Sequence, residues 1–316
     1  MASSLLLDDA EKVLNAKLKP HLHSIHASLK LDNDATTANV AILKTLLDGI
    51  CEMMKRKDPL FRLLFNRRTY TGSFYDGLRI KRADEFDINL VLDLPFRDEE
   101  VTVLQGRPGH VGYEVSPAAV NRLRQKRGTE APLLQWMDSQ HRLLPDRVKR
   151  WLQSVVDRTL QYYHAPEARC RAVAEIRSSE SGPAKTFHII LKDGRKIDVD
   201  LVPVIEFRHP SWPDGIEEKE WMSSIPKEDH NWLLVPKPRK EEPHLWRLHF
   251  PNMEKRLITD FGCVKPIIRL LKTTRDSYNW NLSSYALKTF VMSQLLENYN
   301  EQYWHPRNEG ILFVRV

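Results

Sequence analysis

Residues 71 to 94 read TGSFYDGLRIKRADEFDINLVLDL, and the second half of that stretch decides the fold. The run INLVLDL, 88 to 94, is short, apolar and bounded by charge, which is the signature of a buried strand. Glu85, Phe86 and Asp87 lead directly into it. On a strand, residues i and i+2 project from the same face, so Glu85 and Asp87 point together. Two carboxylates so placed repel each other unless a cation lies between them, and their oxygens suit hard ions such as Mg²⁺ or Mn²⁺. A second strand is expected at KIDVDLVPVIEF, 196 to 207, where Ile197, Val199 and Leu201 alternate with Asp198 and Asp200. It offers a third carboxylate, and three converging acids can hold two metals. Acids at alternate strand positions are in most proteins merely a solvated face. The segment upstream argues against that reading here. Gly72 lets backbone amides approach a phosphate with no Cβ in the way, and Ser73 adds a hydroxyl donor at an expected helix start.

Working outward, residues 4 to 19 read as an amphipathic helix ending near Pro20. A second helix is expected from Thr36 to Lys57, where Leu43, Leu46, Leu47, Ile50, Met53 and Met54 form one apolar stripe that Asp58-Pro59 stops. TFHIIL, 186 to 191, is another strand, and Ser116 to Tyr163 is helical in character. The Pro- and Trp-rich stretch from His209 to Pro243 reads as a long connector with little regular structure, followed by helices at 253 to 261, 264 to 276 and 285 to 299. Strands first and helices after imply two lobes of an α+β protein, not a doubly wound sheet. The expected division is 1–208 for N-terminal helices with a catalytic core, and 209–316 for a helical C-terminal lobe.

Gly-Ser, then the eleven residues 74 to 84, then Glu-x-Asp, then a distant acid flanked by apolar residues resembles the nucleotidyltransferase pattern of poly(A) polymerases and oligoadenylate synthases. In Val199-Asp200-Leu201 the acid has apolar neighbours on both sides, so Asp200 fits the third carboxylate better than Asp198. Further segments narrow the family: SGPAKTFHIIL at 181 to 191, VDLVPVIEF with HPSWP, WLLVPK at 232 to 237, WRLHFPNMEKRLI at 246 to 258 and LSSYALKTF at 282 to 290. Together they resemble cyclic GMP-AMP synthase, its receptor-like relatives and the male-abnormal-type developmental proteins, over nearly the whole chain. The resemblance implies a bilobed nucleotidyltransferase with a mixed twisted sheet, an N-terminal spine helix and a helical C-terminal lobe. It implies catalytic and metal-holding roles for Glu85, Asp87 and Asp200, with a two-metal Mg²⁺ or Mn²⁺ site. Gly72 and Ser73 would contact phosphate, as would Ser284 and Lys288; Tyr285 would stack on a base and Arg247 would read one. Each role is chemically sensible: an aromatic face stacks on any base, Lys offsets phosphate charge and Arg donates to a purine edge.

Two departures refine the expectation. The vertebrate DNA-sensing enzyme carries a His and Cys zinc module just before the segment matched by Cys263-Val264-Lys265, and no such set occurs between Arg256 and Lys272. The chain thus resembles the zinc-free invertebrate receptors, several of which respond to double-stranded RNA, with double-stranded DNA the second-ranked partner. The family also continues past the segment resembling NEGILFVRV, so a shortened C-terminal lobe is expected. The resemblance implies ATP and GTP as substrates of a cyclic dinucleotide synthase in innate immunity. The alternative is a catalytically inactive relative that binds a nucleotide or a partner.

The bulk properties agree with a polyanionic partner: 48 Lys and Arg against 42 Asp and Glu leave +6. Lys55, Arg56 and Lys57 end the second helix, the region that resembles the family's spine, and Lys265 resembles a ligand-face lysine; these four are the candidate nucleic-acid contacts. Further basic clusters at Arg122 to Arg127 and Arg147 to Arg150 are the next candidates. Cys51, Cys170 and Cys263 are odd in number and far apart, which points to a reducing compartment. Leu5 to Leu7 is too short for a signal-peptide core, and no stretch is long and apolar enough to span a membrane. A cytoplasmic location, with the nucleus as a second compartment, is expected.

Overall fold

The computed structural model describes residues 7–126, 128–162 and 171–316. The start of the first expected helix, together with Arg127, Tyr163 and Cys170, lies outside the described residues. Helix α1 (Asp9–Ser28) opens with a capping box, Asp8 and Glu11 satisfying each other's backbone N–H, and runs through Pro20 instead of ending there. Helix α2 (Asn33–Lys57) is capped by Asp32, buries the expected stripe from Leu43 to Met54, and stops at Asp58. Asp58 then caps α3 (Pro59–Leu64), its carboxylate accepting from the Phe61 N–H at 2.7 Å.

Strand β1 (Phe65–Thr71) leads into the single turn α4 (Gly72–Tyr75), and β2 (Glu85–Leu92) starts at the first acid. A hairpin of β3 (Val101–Gln105) and β4 (His110–Val115) is followed by α5 (Pro117–Gln125) and α6 (Pro145–Leu160). Next come β5 (Val173–Ser181), β6 (Ala184–Leu191), β7 (Lys196–Phe207), β8 (Trp232–Val235) and β9 (Leu245–His249). The chain closes with α7 (Pro251–Asp260), α8 (Val264–Tyr278), α9 (Ser284–Glu297) and α10 (Glu309–Arg315).

The sheet order is β1-β2-β7-β8-β9-β4-β3, with β5 and β6 branching from β7. The branch explains the length of β7. It lies along parallel β2 from Asp198 to Ile205, while its other edge takes β6 first and β8 afterwards. Phe86, Ile88 and Leu90 of β2, with Ile197, Val199 and Leu201 of β7, pack against α2 and α6 on one face. The alternate residues, Glu85 and Asp87 among them, are thereby turned to the opposite face, which looks toward α7, α8 and α9. Those helices hold their own core around Ile258, Ile267, Val291 and Trp304.

The chain thus has the α+β architecture with a mixed sheet that was expected, with one correction to its division. The expected connector 209–243 contains β8, and β9 follows it; both are hydrogen-bonded into the sheet. Trp232, Leu234, Trp246 and Leu248 are buried in the sheet's second core. The short apolar run WLLV was obscured by the prolines around it. The helical part therefore begins at α7, not at residue 209. No described helix is long and apolar enough to cross a membrane.

Candidate active site

The parallel pairing of β2 with β7 sets Glu85 opposite Asp198 and Asp87 opposite Asp200. A one-residue slip would send one strand's acids into the α2 core, so the burial of Phe86 and Val199 fixes the register. Burial raises Asp87 to a pKa of about 7, helped by the negative charges of Asp200, Glu85 and Asp76. Burial also raises Asp200, against a hydrogen bond of 2.5 Å from the Thr186 hydroxyl that favours its charged form. Asp198 is engaged elsewhere: His188 Nδ1 lies 2.6 Å from it and Lys196 Nζ 3.1 Å. Asp87 therefore has Asp200 as its strand neighbour, while Asp198 is paired with its own cations.

Glu85 is tied differently. Arg79 donates to it through Nη1, to Asp84 through Nη2 at 2.5 Å, and to the Arg82 carbonyl through Nε at 2.8 Å. No group of three His, Cys, Asp or Glu side chains with metal-holding geometry occurs among the described residues, which agrees with Glu85 being drawn to Arg79. The donor set still suits a divalent ion: Glu85, Asp87 and Asp200 share one sheet face, and burial together with the neighbouring carboxylates drives Asp87 toward neutrality.

Gly72 sits at φ +81°, and a Cβ there would lie 1.7 Å from Asp87 Oδ2, so only glycine lets the turn pass over the carboxylate. Ser73 follows Gly72 as the second residue of α4. Phe74 packs edge-on against Phe86, ring centroids 4.9 Å apart, which anchors the turn to β2. Beyond Tyr75 the loop is gripped by the helices. Lys288 Nζ of α9 lies 2.7 Å from Asp76 and 2.9 Å from Glu254; Lys272 Nζ of α8 donates to the Leu78 carbonyl at 2.9 Å.

A cavity of about 290 Å³ joins these parts and is lined by Gly72, Ser73, Glu85, Asp87, Arg247, Ser284, Tyr285 and Lys288 among others. Arg247 lies over the Tyr285 ring at 4.1 Å, so one face of that ring already carries a cation. Ser284 accepts from Arg275 Nη1 at 2.9 Å. Lys288 is buried and neutralised by two carboxylates, which makes it a brace between loop and helices more than an open phosphate donor. Asp200 does not line the cavity, though its strand partner Asp87 does.

Arg79, Asp76, Glu254 and Lys272 were not anticipated. Lys272 carries a signal in the sequence: it falls four residues after Ile268, on the apolar stripe of α8, where a cation must have a partner. Burial, with the nearby charges of Arg79 and Arg275, lowers its pKa to about 8. Glu254 likewise sits on the buried face of α7 beside Met253 and Ile258.

The candidate nucleic-acid residues do not form one cluster. Lys55, Arg56 and Lys57 end α2, where Lys57 lies over Tyr162 and Lys55 pairs with Glu52 at 2.8 Å. Lys265 lies against Gly77, near the start of α2, where Lys30, Asn33, Arg79 and Arg269 line another cavity. The 22 residues from Asn33 to Lys55 put the two groups about 33 Å apart along the helix.

Residues 74–260 match the Mab-21 protein nucleotidyltransferase domain. The chain belongs to that family. Over 88% of its length this nucleotidyltransferase is 30% identical to a cyclic GMP-AMP synthase-like receptor of Tribolium castaneum, covering 72% of that protein. It is 32% identical to one of Microplitis demolitor over 87% of the chain, and spans about half, 52%, of that relative. Cyclic GMP-AMP synthase-like receptor 1 of Drosophila melanogaster is 25% identical over 88% of the chain and 73% of the relative. The protein is therefore a nucleotidyltransferase of the cyclic GMP-AMP synthase-like receptor family.

Proposed function

We propose that this nucleotidyltransferase joins ATP and GTP into a cyclic dinucleotide with release of pyrophosphate, switched on by double-stranded RNA in innate immune defence. The observation that carries the reading is the register that sets Asp87 beside Asp200, under the Gly72-Ser73 turn and across a cavity from Tyr285. Glu85, Asp87 and Asp200 are the residues that would hold Mg²⁺ or Mn²⁺. When bound, the ions supply charge at the attacking hydroxyl and at the departing pyrophosphate.

The chain's own groups do the rest. The Ser73 hydroxyl and the N–H groups of the turn donate to a triphosphate, and the turn is held by Phe74 so that the donors stay aimed. Tyr285 offers its free face to one base, while Arg247, fixed over the other face, points its donors at the edge of the second. Lys272 and Lys288 set the loop's position through Leu78 and Asp76. An RNA duplex lying along α2 would meet basic groups at both helix ends, which would contact its phosphates without reading bases.

The test is incubation of the full chain with labelled ATP and GTP, Mg²⁺ or Mn²⁺, and duplex RNA, duplex DNA or neither, followed by product separation. A cyclic dinucleotide formed with RNA is expected; a ladder of linear products refutes the synthase reading, and stimulation by DNA alone refutes the RNA assignment. One observation favours a second reading, a non-catalytic nucleotide- or partner-binding module: Arg79 occupies Glu85 and two carboxylates occupy Lys288. Nucleotide binding with no turnover under any condition selects it.

A further inference from the structure

Strand β1 carries Arg67, Thr69 and Thr71 on the face that also bears Asp87, whose backbone pairs with Thr71. Arg67 therefore lies about 13 Å along the strand from the acids. There the sheet face ends in a separate cavity of about 390 Å³, reached past Thr71 and Pro251, which also line the catalytic cleft. Glu206 organises its wall. The Glu206 side chain is 6% exposed, and Arg67 Nη2 lies 2.7 Å from both of its oxygens. Asn231 Nδ2 and Arg208 Nε each donate to it at 3.0 Å.

That arrangement satisfies the carboxylate and leaves its partners half used. Arg67 Nη1, Thr69 Oγ1 and Asn231 Oδ1 are all buried and have no hydrogen-bond partner among the described residues. Buried polar atoms are rarely left unpaired, and these three belong to residues from two elements that line one cavity, which marks it as a place for a ligand's polar groups. The charge sets its sign. Two guanidinium groups share one buried carboxylate, and at the rim Lys227 is offset by Glu228, leaving one positive charge in excess. Two donors and a net cation fit a phosphate oxygen, and the lone acceptor, Asn231 Oδ1, fits a hydroxyl or amine carried by the same molecule.

We propose that this cavity is a second phosphate-binding site, distinct from the catalytic carboxylates and independent of metal, which takes pyrophosphate or the phosphates of a nucleotide. It sits where a phosphate-bearing molecule leaving or entering the cleft would pass.

Calorimetric titration of the full chain with inorganic pyrophosphate, ATP and adenosine, all in excess chelator, tests it. Pyrophosphate and ATP are expected to bind and adenosine not. Arg208→Gln, at a largely exposed side chain whose loss leaves Glu206 paired with Arg67, should weaken both about tenfold. Thr69→Val, which keeps the shape and removes the hydroxyl, should weaken them about fivefold. Tyr285→Ala, in the catalytic cleft, should leave pyrophosphate binding unchanged. Tighter binding of ATP than of pyrophosphate that persists in Tyr285→Ala identifies a nucleotide as the occupant, through Asn231; equal binding in that variant identifies the phosphate alone. No binding in chelator, or binding that ignores Arg208→Gln and Thr69→Val, assigns the buried atoms to water and overturns the proposal. Because turnover is not measured, a failure of the synthase reading leaves these outcomes unaltered.

Discussion

Gly72→Ala isolates the close approach on which the acidic site depends. At φ +81° an alanine pays a conformational penalty of about 1–2 kcal/mol. Its Cβ would also stand 1.7 Å from Asp87 Oδ2, 2.4 Å from Cγ and 2.8 Å from Cβ. Asp87 cannot back away along a strand paired on both edges, so the turn must lift, an overpacking of about 1–3 kcal/mol. Together these come to about 2–5 kcal/mol, which for a chain of this size lowers the unfolding midpoint by about 4–10 °C. Asp87→Ala removes the two closest atoms and leaves only the 2.8 Å contact. Thermal unfolding of wild type, both single variants and the double variant forms a cycle, and about 1–3 kcal/mol of coupling is expected. If Gly72→Ala destabilises equally in both backgrounds, the turn does not rest on the carboxylate and the geometry argued for the site is wrong.

Glu85→Gln with Asp87→Asn should abolish product formation with the unfolding midpoint nearly unchanged; Asp200→Asn should be as damaging and Asp198→Asn mild, since His188 and Lys196 already engage Asp198. The opposite order of the last two would move the third carboxylate to Asp198. Arg79→Gln should free Glu85 and tighten Mn²⁺ binding, followed by electron paramagnetic resonance, about fivefold, the ion pair being discounted because Glu85 is half exposed; unchanged affinity would show that Arg79 does not compete. Glu254 resists protonation to a pKa of about 2 despite burial, because His249 and Lys288 favour its charge. Its folded pKa is below the unfolded one, so its stabilisation is complete above pH 4.5 and is lost as pH falls toward 2. The stability gap between wild type and Glu254→Gln in urea should therefore shrink by up to about 3 kcal/mol from pH 6 to pH 2, and a gap that stays flat with pH removes the brace.

The parts legible in the sequence are those where local pattern and burial agree. The EFDINL strand, β7 and the stripe of α2 read directly, because one face of each is fully apolar and the register follows from it. β1 and β5 were missed because NRRTYT and AEIRSSES are polar: each is a sheet edge, half solvated, and carries no apolar run. β9 was hidden by its pairing with β8 across the proline-rich turn, which is a tertiary fact. Asp76, Glu254 and Lys288 come from three segments and meet only in the fold, 212 residues separating Asp76 from Lys288. The distance between Lys55 and Lys265 was equally invisible, since only the direction of α2 places them at opposite ends.

The ion pairs around the cleft help to hold the loop between Gly72 and Glu85 in place. Between Gly72 and Glu85 the chain is anchored by apolar contacts at intervals: Phe74 and Tyr75 against Phe86 at one end, Leu78 inserted among the helices near the middle, and Ala83 in the core under β2. Among the other attachments several are charged, through Lys288 to Asp76, Lys272 to the Leu78 carbonyl and Arg79 to Asp84 and Glu85. Apolar packing resists displacement in proportion to area, whereas a charged partner can be exchanged for another of like sign at little net change. Arg79 lines both the catalytic cavity and the basic cavity beside Lys30 and Arg269. A phosphate entering the second would therefore offer Arg79 an alternative to Glu85, and each carboxylate so released would add to the negative charge around Asp87. The same exchange cannot free Lys288, which is buried between two carboxylates, so the loop would pivot about Asp76 and not detach.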